Sequence, residues 1–148
     1  MYNFIFNSEP KAIQSVRFRN AGKYIQTYQP KANVNYKAWI KLQAQTQLPA
    51  DFKLITGAVA IEKCHFIFPI LKSFPKYKKR EICNGIRHYK TSKPDLADNL
   101  MKGLVDALTG IVWNDNSQIV TVKNTAKYYG EEPKIIMEIR EAELVELI

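Results

Sequence analysis

Between Leu54 and Phe68 the chain gathers Ile55, Val59, Ile61, Phe66, Ile67 and Phe68, a run rich in β-branched and aromatic residues that stops at Pro69. Side chains of this kind suit a pleated, buried surface, and a proline cannot donate to a continuing ladder. The run predicts a central strand, and such a strand needs partners on both edges. Tyr2 to Phe6 reads as a short aromatic strand followed by a polar loop from Asn7 to Asn20, and Gly22 to Tyr28 as a second extended piece. Ile119 to Val122, continuing towards Tyr129, and Lys134 to Arg140 alternate as strands do, with Gly130-Glu131-Glu132-Pro133 as the turn between them.

Two segments carry helical spacing instead. From Asn33 to Gln47, Tyr36, Trp39, Ile40 and Gln43 fill a broad face, with Asn33 as N-cap and Pro49 beyond the end. From Asp98 to Leu108 the stripe is Leu100, Met101, Leu104, Val105 and Leu108, with Gly110 just past it as C-cap. Glu141 to Ile148 reads as a short helical or frayed tail. The 148 residues, 46% hydrophobic and 24% charged, fit one domain over residues 1–148 that can bury a core. The expected fold class is α/β (α+β), a mixed β-sheet packed with two or three helices.

A formal net charge of +8 favours an acidic partner, nucleic acid or anionic membrane. No apolar run approaches the roughly 20 residues of a membrane span, and Met1 to Phe6 lacks the features of a signal peptide, so a cytoplasmic location without membrane attachment is expected. Cys64 and Cys83 form no Cys-x-x-Cys pair and read as reduced thiols, Cys64 buried in a strand. No phosphate-binding glycine loop, dinucleotide fingerprint, nucleophile elbow or His-Glu-x-x-His helix occurs, which removes nucleotide cofactors, serine hydrolysis and zincin chemistry from the leading readings.

The charge is unevenly placed. From Lys72 to Lys93 there are eight lysines and arginines against the single acid Glu81, interleaved with Phe74, Tyr77, His88 and Tyr89. Such a stretch is either a solvated surface or a nucleic-acid tracking surface in which cations meet phosphates and aromatics meet bases. Directly after it come Asp95 and Asp98, then Lys102 and Asp106 on the rows that follow Asp98, then Asp115 beside Asn116. Carboxylates there would grip a magnesium ion while Lys102 meets a phosphate. The plainer alternative makes Asp95 or Asp98 a helix cap, Asp98 and Lys102 a surface pair, and Asn114-Asp115-Asn116-Ser117 a turn.

Lys93-Pro94-Asp95, Asp98-Asn99-Leu100-Met101-Lys102, Asp106 to Trp113 and Asp115-Asn116-Ser117-Gln118-Ile119 together resemble the RusA-type Holliday junction resolvases, endodeoxyribonucleases common in phages and prophages. The resemblance is sharp over about a third of the chain. It implies a small homodimer that binds four-way DNA junctions and nicks opposing strands with Mg2+, Mn2+ being a possible substitute. It implies Asp95, Asp98 and Asp115 as catalytic metal ligands, with Asn116 as the alternative third ligand, and Lys102 as the catalytic lysine. Lys76, Lys78, Lys79, Arg80, Arg87, His88, Lys90 and Lys93 would bind DNA.

This sequence departs from the family pattern twice. Leu96 and Ala97 put two residues between the first acids where the family has one, so the backbone must bulge or wind differently. Asn116 stands where the family's second acidic cluster places an acid. The leading reading is therefore a magnesium-dependent nuclease of branched DNA acting in recombination and repair. A junction-binding module of the same fold with weakened or lost cleavage is the second, and a basic protein bound to RNA or an acidic partner the third.

Overall fold

A computed structural model describes residues 1–12, 17–20, 25–28 and 31–144. The strand anticipated from Leu54 forms as β4, Val59–Pro69, and lies at the centre of a five-stranded mixed sheet. It begins later than the apolar pattern does, because Ile55 instead forms a parallel bridge with Trp113. On one side β4 pairs antiparallel with β7 (Lys134–Glu141), which pairs antiparallel with β1 (Tyr2–Phe6). On the other side it pairs in parallel with two short strands set end to end, β5 (Ile119–Val122) and β6 (Thr125–Gly130).

The expected continuous strand from Ile119 towards Tyr129 is thus broken at Lys123-Asn124, where Asn124 takes φ 44°. Across the break β4 bulges at Glu62, whose carboxylate receives Arg140 Nε at 2.7 Å and lies 3.8 Å from Lys123 Nζ. The Gly130–Pro133 turn connects β6 to β7 as expected, but the two strands do not pair with each other: the turn passes the end of β4, so that β6 and β7 flank that strand on opposite sides.

Two further strands, β2 (Arg17–Asn20) and β3 (Ile25–Tyr28), pair antiparallel as a separate sheet. The first corrects the loop expected over Asn7 to Asn20; Gly22 falls outside the described residues. Helix α1 spans Lys31–Gln47, so Asn33 lies inside it and is not the N-cap. Tyr36, Ile40, Gln43 and Ala44 are buried, one stripe at helical spacing, whereas Trp39 and Leu42 face outwards. Gln47 exchanges two hydrogen bonds of 2.8 Å with the backbone of Ile5, and Gln43 accepts from Asn7 N at 2.7 Å. These amides occupy the outer edge of β1.

Helix α2 is Lys76–Cys83. The second helical segment starts as a π-helical turn, Leu96–Met101, and continues as α3, Lys102–Leu108. Gly110 follows at φ 88°, the left-handed conformation that suits glycine after a helix. One face of the sheet, with Phe4, Phe6, Cys64, Phe66, Phe68, Tyr129, Ile135 and Met137, joins Ile40, Leu100, Leu104, Leu108 and Trp113 in the core. Both cysteines are free, and burial pushes the Cys64 thiol well up. Beyond β7, Ala142 N bonds Ala58 O at 2.9 Å, and the described tail to Leu144 is not helical. Among the described residues no helix is long and apolar enough to cross a membrane.

Candidate active site

The segment that follows Asp95 and carries Asp98 winds as a π-helical turn, Leu96–Met101. Asp95 O accepts from Leu100 N at 3.1 Å, five residues on, as well as from Asn99 N at 3.3 Å. A wider turn absorbs one residue without breaking the helix, and such bulges are common at functional sites. Asp95 holds the N-cap position with extended backbone, yet its carboxylate makes no cap bond. Its backbone N–H is taken instead by Asn99 Oδ1 at 3.3 Å. Asp95, Asp98 and Lys102 are exposed, and no hydrogen bond or ion pair within the described residues engages their charged groups.

Asp115 is used differently. It caps a 3-10 turn, Asn116–Gln118, accepting from Ser117 N at 3.1 Å. Gln118 Oε1 accepts from Asn114 N at 2.7 Å and Asp115 N at 2.8 Å, while its Nε2 donates to Ile55 O at 2.7 Å and Gly57 O at 2.9 Å. One amide so fastens the Asp115 turn to the approach of β4. The turn chemistry read from Asn114 to Ser117 is present, and one Asp115 oxygen is spent on it.

Asn116 turns towards α3. Its Nδ2 donates to Asp106 Oδ1 at 2.7 Å, and its Oδ1 accepts from the Thr109 hydroxyl and lies 3.4 Å from Trp113 Nε1. Sequence spacing places Asp106 on the row of Asp98 and Lys102 but gives no sign of this partnership. Among the described residues no three His, Cys, Asp or Glu side chains stand together as a formed metal site. Magnesium commonly relies on one or two carboxylates completed by water and substrate phosphate, and the exposed, uncommitted pair Asp95 and Asp98 offers the hard oxygen donors it takes.

The basic stretch holds exposed cations and cations anchored on rings or protein acceptors, with Arg87 in both groups. Lys76, Arg80, Arg87 and Lys93 are exposed. Lys78 Nζ sits 3.8 Å from the Phe74 ring centroid, Arg87 lies 4.2 Å over Tyr128, and Lys90 is 5.1 Å from Phe68. Lys79 donates to Lys72 O at 3.0 Å, and His88 Nε2 meets Glu81 Oε2 at 2.7 Å. Aromatic faces hold cations by their quadrupoles, so several of these charges are fixed in place. Tyr77 and Tyr89 stay 61% and 62% exposed beside them.

His65, the other histidine, is 3% exposed and lies between Tyr128 OH at 2.9 Å and Asn124 Oδ1 at 3.0 Å, a fully bonded residue of β4. Burial raises the Tyr128 phenol pKa, against the lowering effect of Arg87. From His88 to Lys90 the chain runs along the free edge of β6, with Tyr129 N on His88 O and Lys90 N on Lys127 O, both 3.1 Å. It then enters Lys93-Pro94-Asp95. The sheet edge thereby delivers the basic surface directly to the acidic turn.

The family model of Endodeoxyribonuclease RusA matches this chain over residues 7–140, a span that includes the basic lead-in, the acidic helix start and the capped Asp115 turn. The chain belongs to the RusA endodeoxyribonuclease family. A relative, "Uncharacterized protein YqaN" of Bacillus subtilis (strain 168), is 35% identical over 113 residues, 76% of each chain. Membership ties the chain to nucleases of DNA junctions.

Proposed function

We propose that this chain is a magnesium-dependent, structure-selective endonuclease that nicks branched DNA as a homodimer. The observation that carries the reading is a pair of exposed, uncommitted carboxylates, Asp95 and Asp98, at the end of a segment lined with anchored cations. Asp95 and Asp98 would hold the ion, with the Asp115 carboxylate as a further donor. Magnesium, when bound, supplies an activated water and neutralises phosphate oxygens. Lys102, exposed just after the acidic turn, presents its ammonium to the charge that develops on the phosphate. Lys76, Arg80, Arg87 and Lys93 hold the flanking backbone, and Tyr77 and Tyr89 offer faces for unstacked bases. A two-fold dimer matches the symmetry of a junction's opposing strands.

A second reading, junction binding with little cleavage, is favoured by the Asn116 amide, which brings no charge and is already bonded to Asp106 and Thr109. Incubating a synthetic four-way junction with the protein and magnesium separates the two. Nicking that Asp98→Asn abolishes while junction binding persists supports the nuclease; full activity in that variant removes Asp98 from the site. Tight junction binding with no nicking in magnesium or manganese selects the binding module.

A further inference from the structure

Lys127 lies on β6 in register with Phe66 of β4 and two residues before the buried Tyr129, so it sits on the face of the sheet that meets the helices. Its Nζ donates to Ser92 O at 2.8 Å and to Pro94 O at 2.7 Å. An ammonium has three donors, and two of these are spent on the carbonyls that lead into the acidic turn. Lys127 also holds the same segment through its backbone, since its carbonyl accepts from Lys90 N at 3.1 Å. Lys90 Nζ then bonds Ser92 Oγ at 3.0 Å.

The Pro94 carbonyl belongs to the peptide whose nitrogen is Asp95 N. Fixing that oxygen fixes the plane of the Pro94–Asp95 peptide, and on its far side Asp95 N and O are held by Asn99 and Leu100. The backbone that carries the Asp95 side chain is thus held on both sides of its Cα. Unlike Lys76, Arg80 or Lys93, Lys127 is half-buried, with its charge turned onto protein carbonyls.

We propose that Lys127 is a positioning residue, an ammonium clamp on Ser92 and Pro94 that sets how Asp95 and Asp98 present their carboxylates. The proposal rests on the reading of those acids as a metal-assisted nuclease site. The clamp itself is measured independently of cleavage.

Three measurements on the full chain test it, using Lys127→Met, Lys127→Arg and, should the methionine variant not fold, Lys127→Gln. In Lys127→Met, amide exchange of Asn99 and Leu100 is expected to quicken about tenfold or more while core amides of β4 and β7 keep their protection; arginine restores it. Metal-free junction binding should keep its salt slope in Lys127→Met, whereas loss of a phosphate contact would lower that slope by about 0.9. The magnesium concentration for half-maximal nicking should rise about tenfold, with the saturated rate changed less than about threefold.

Unchanged exchange at Asn99 and Leu100, or a reduced salt slope, overturns the clamp. If the unaltered protein nicks no junction, the nuclease reading fails, and the exchange and salt measurements still decide the role of Lys127.

Discussion

Asn116 shows how one side chain can alter a site without disturbing the fold. Its amide supplies a donor to Asp106 at 2.7 Å, where an acid would face that carboxylate with a like charge. Two carboxylates so close cannot both ionise unless a cation lies between them. Asn116→Asp is therefore expected to bind magnesium about tenfold more tightly by calorimetry, and to melt earlier in chelator, by about 1–3 kcal/mol, because Asp106 loses its donor. Equal magnesium affinity in the two proteins would remove this position from the metal's surroundings. Asp95, Asp98 and Lys102 were candidates in the sequence through residue type, spacing and the resemblance to the RusA pattern, and the structure leaves all three exposed. The Asp106–Asn116 contact and Lys127 were not legible there, since hydrogen bonds between separate elements leave no periodic trace.

At the scale of elements, the α3 stripe and the capping role of Gly110 follow from local chemistry, whereas the π-winding of Leu96–Met101 has no local signal in the sequence. Deleting Ala97 should let the turn revert to α-winding with the thermal midpoint kept within a few degrees. A large fall would mean that packing of Leu100 requires the wide turn. The β6–β7 connection is equally constrained, because a Cβ on Gly130 would stand 2.6 Å from Ile67 Cγ2 of β4. Gly130→Ala should destabilise the protein by about 1–3 kcal/mol in urea unfolding, the usual range for overpacking. Alternating apolar residues predicted these strands and the turn between them, but not that both would pair with β4 and not with each other. Alternation reports which face is buried and says nothing about which neighbour pairs.

For the whole molecule, stability and function separate by face. Tyr36 lies in the core, and burial pushes its phenol up to about 12 from the usual 10. The folded state thus holds that proton more tightly, an advantage that is intact below about pH 10 and lost as pH rises towards 12. In a base titration followed by circular dichroism, Tyr36→Phe should unfold at higher pH than the unaltered chain. Outside the core, the charge that sequence alone located between Lys72 and Lys93 becomes a surface because α2 and the edge of β6 align it. The sequence by itself determined the central strand, the helical stripes, the basic stretch and the acids, since each is written in local periodicity and side-chain chemistry. Only the tertiary structure decided that β6 and β7 flank β4, that Lys127 holds the entry to Asp95, and that Asn116 bonds Asp106. Those outcomes depend on which distant segments the sheet brings together, a competition among many contacts that no local pattern records.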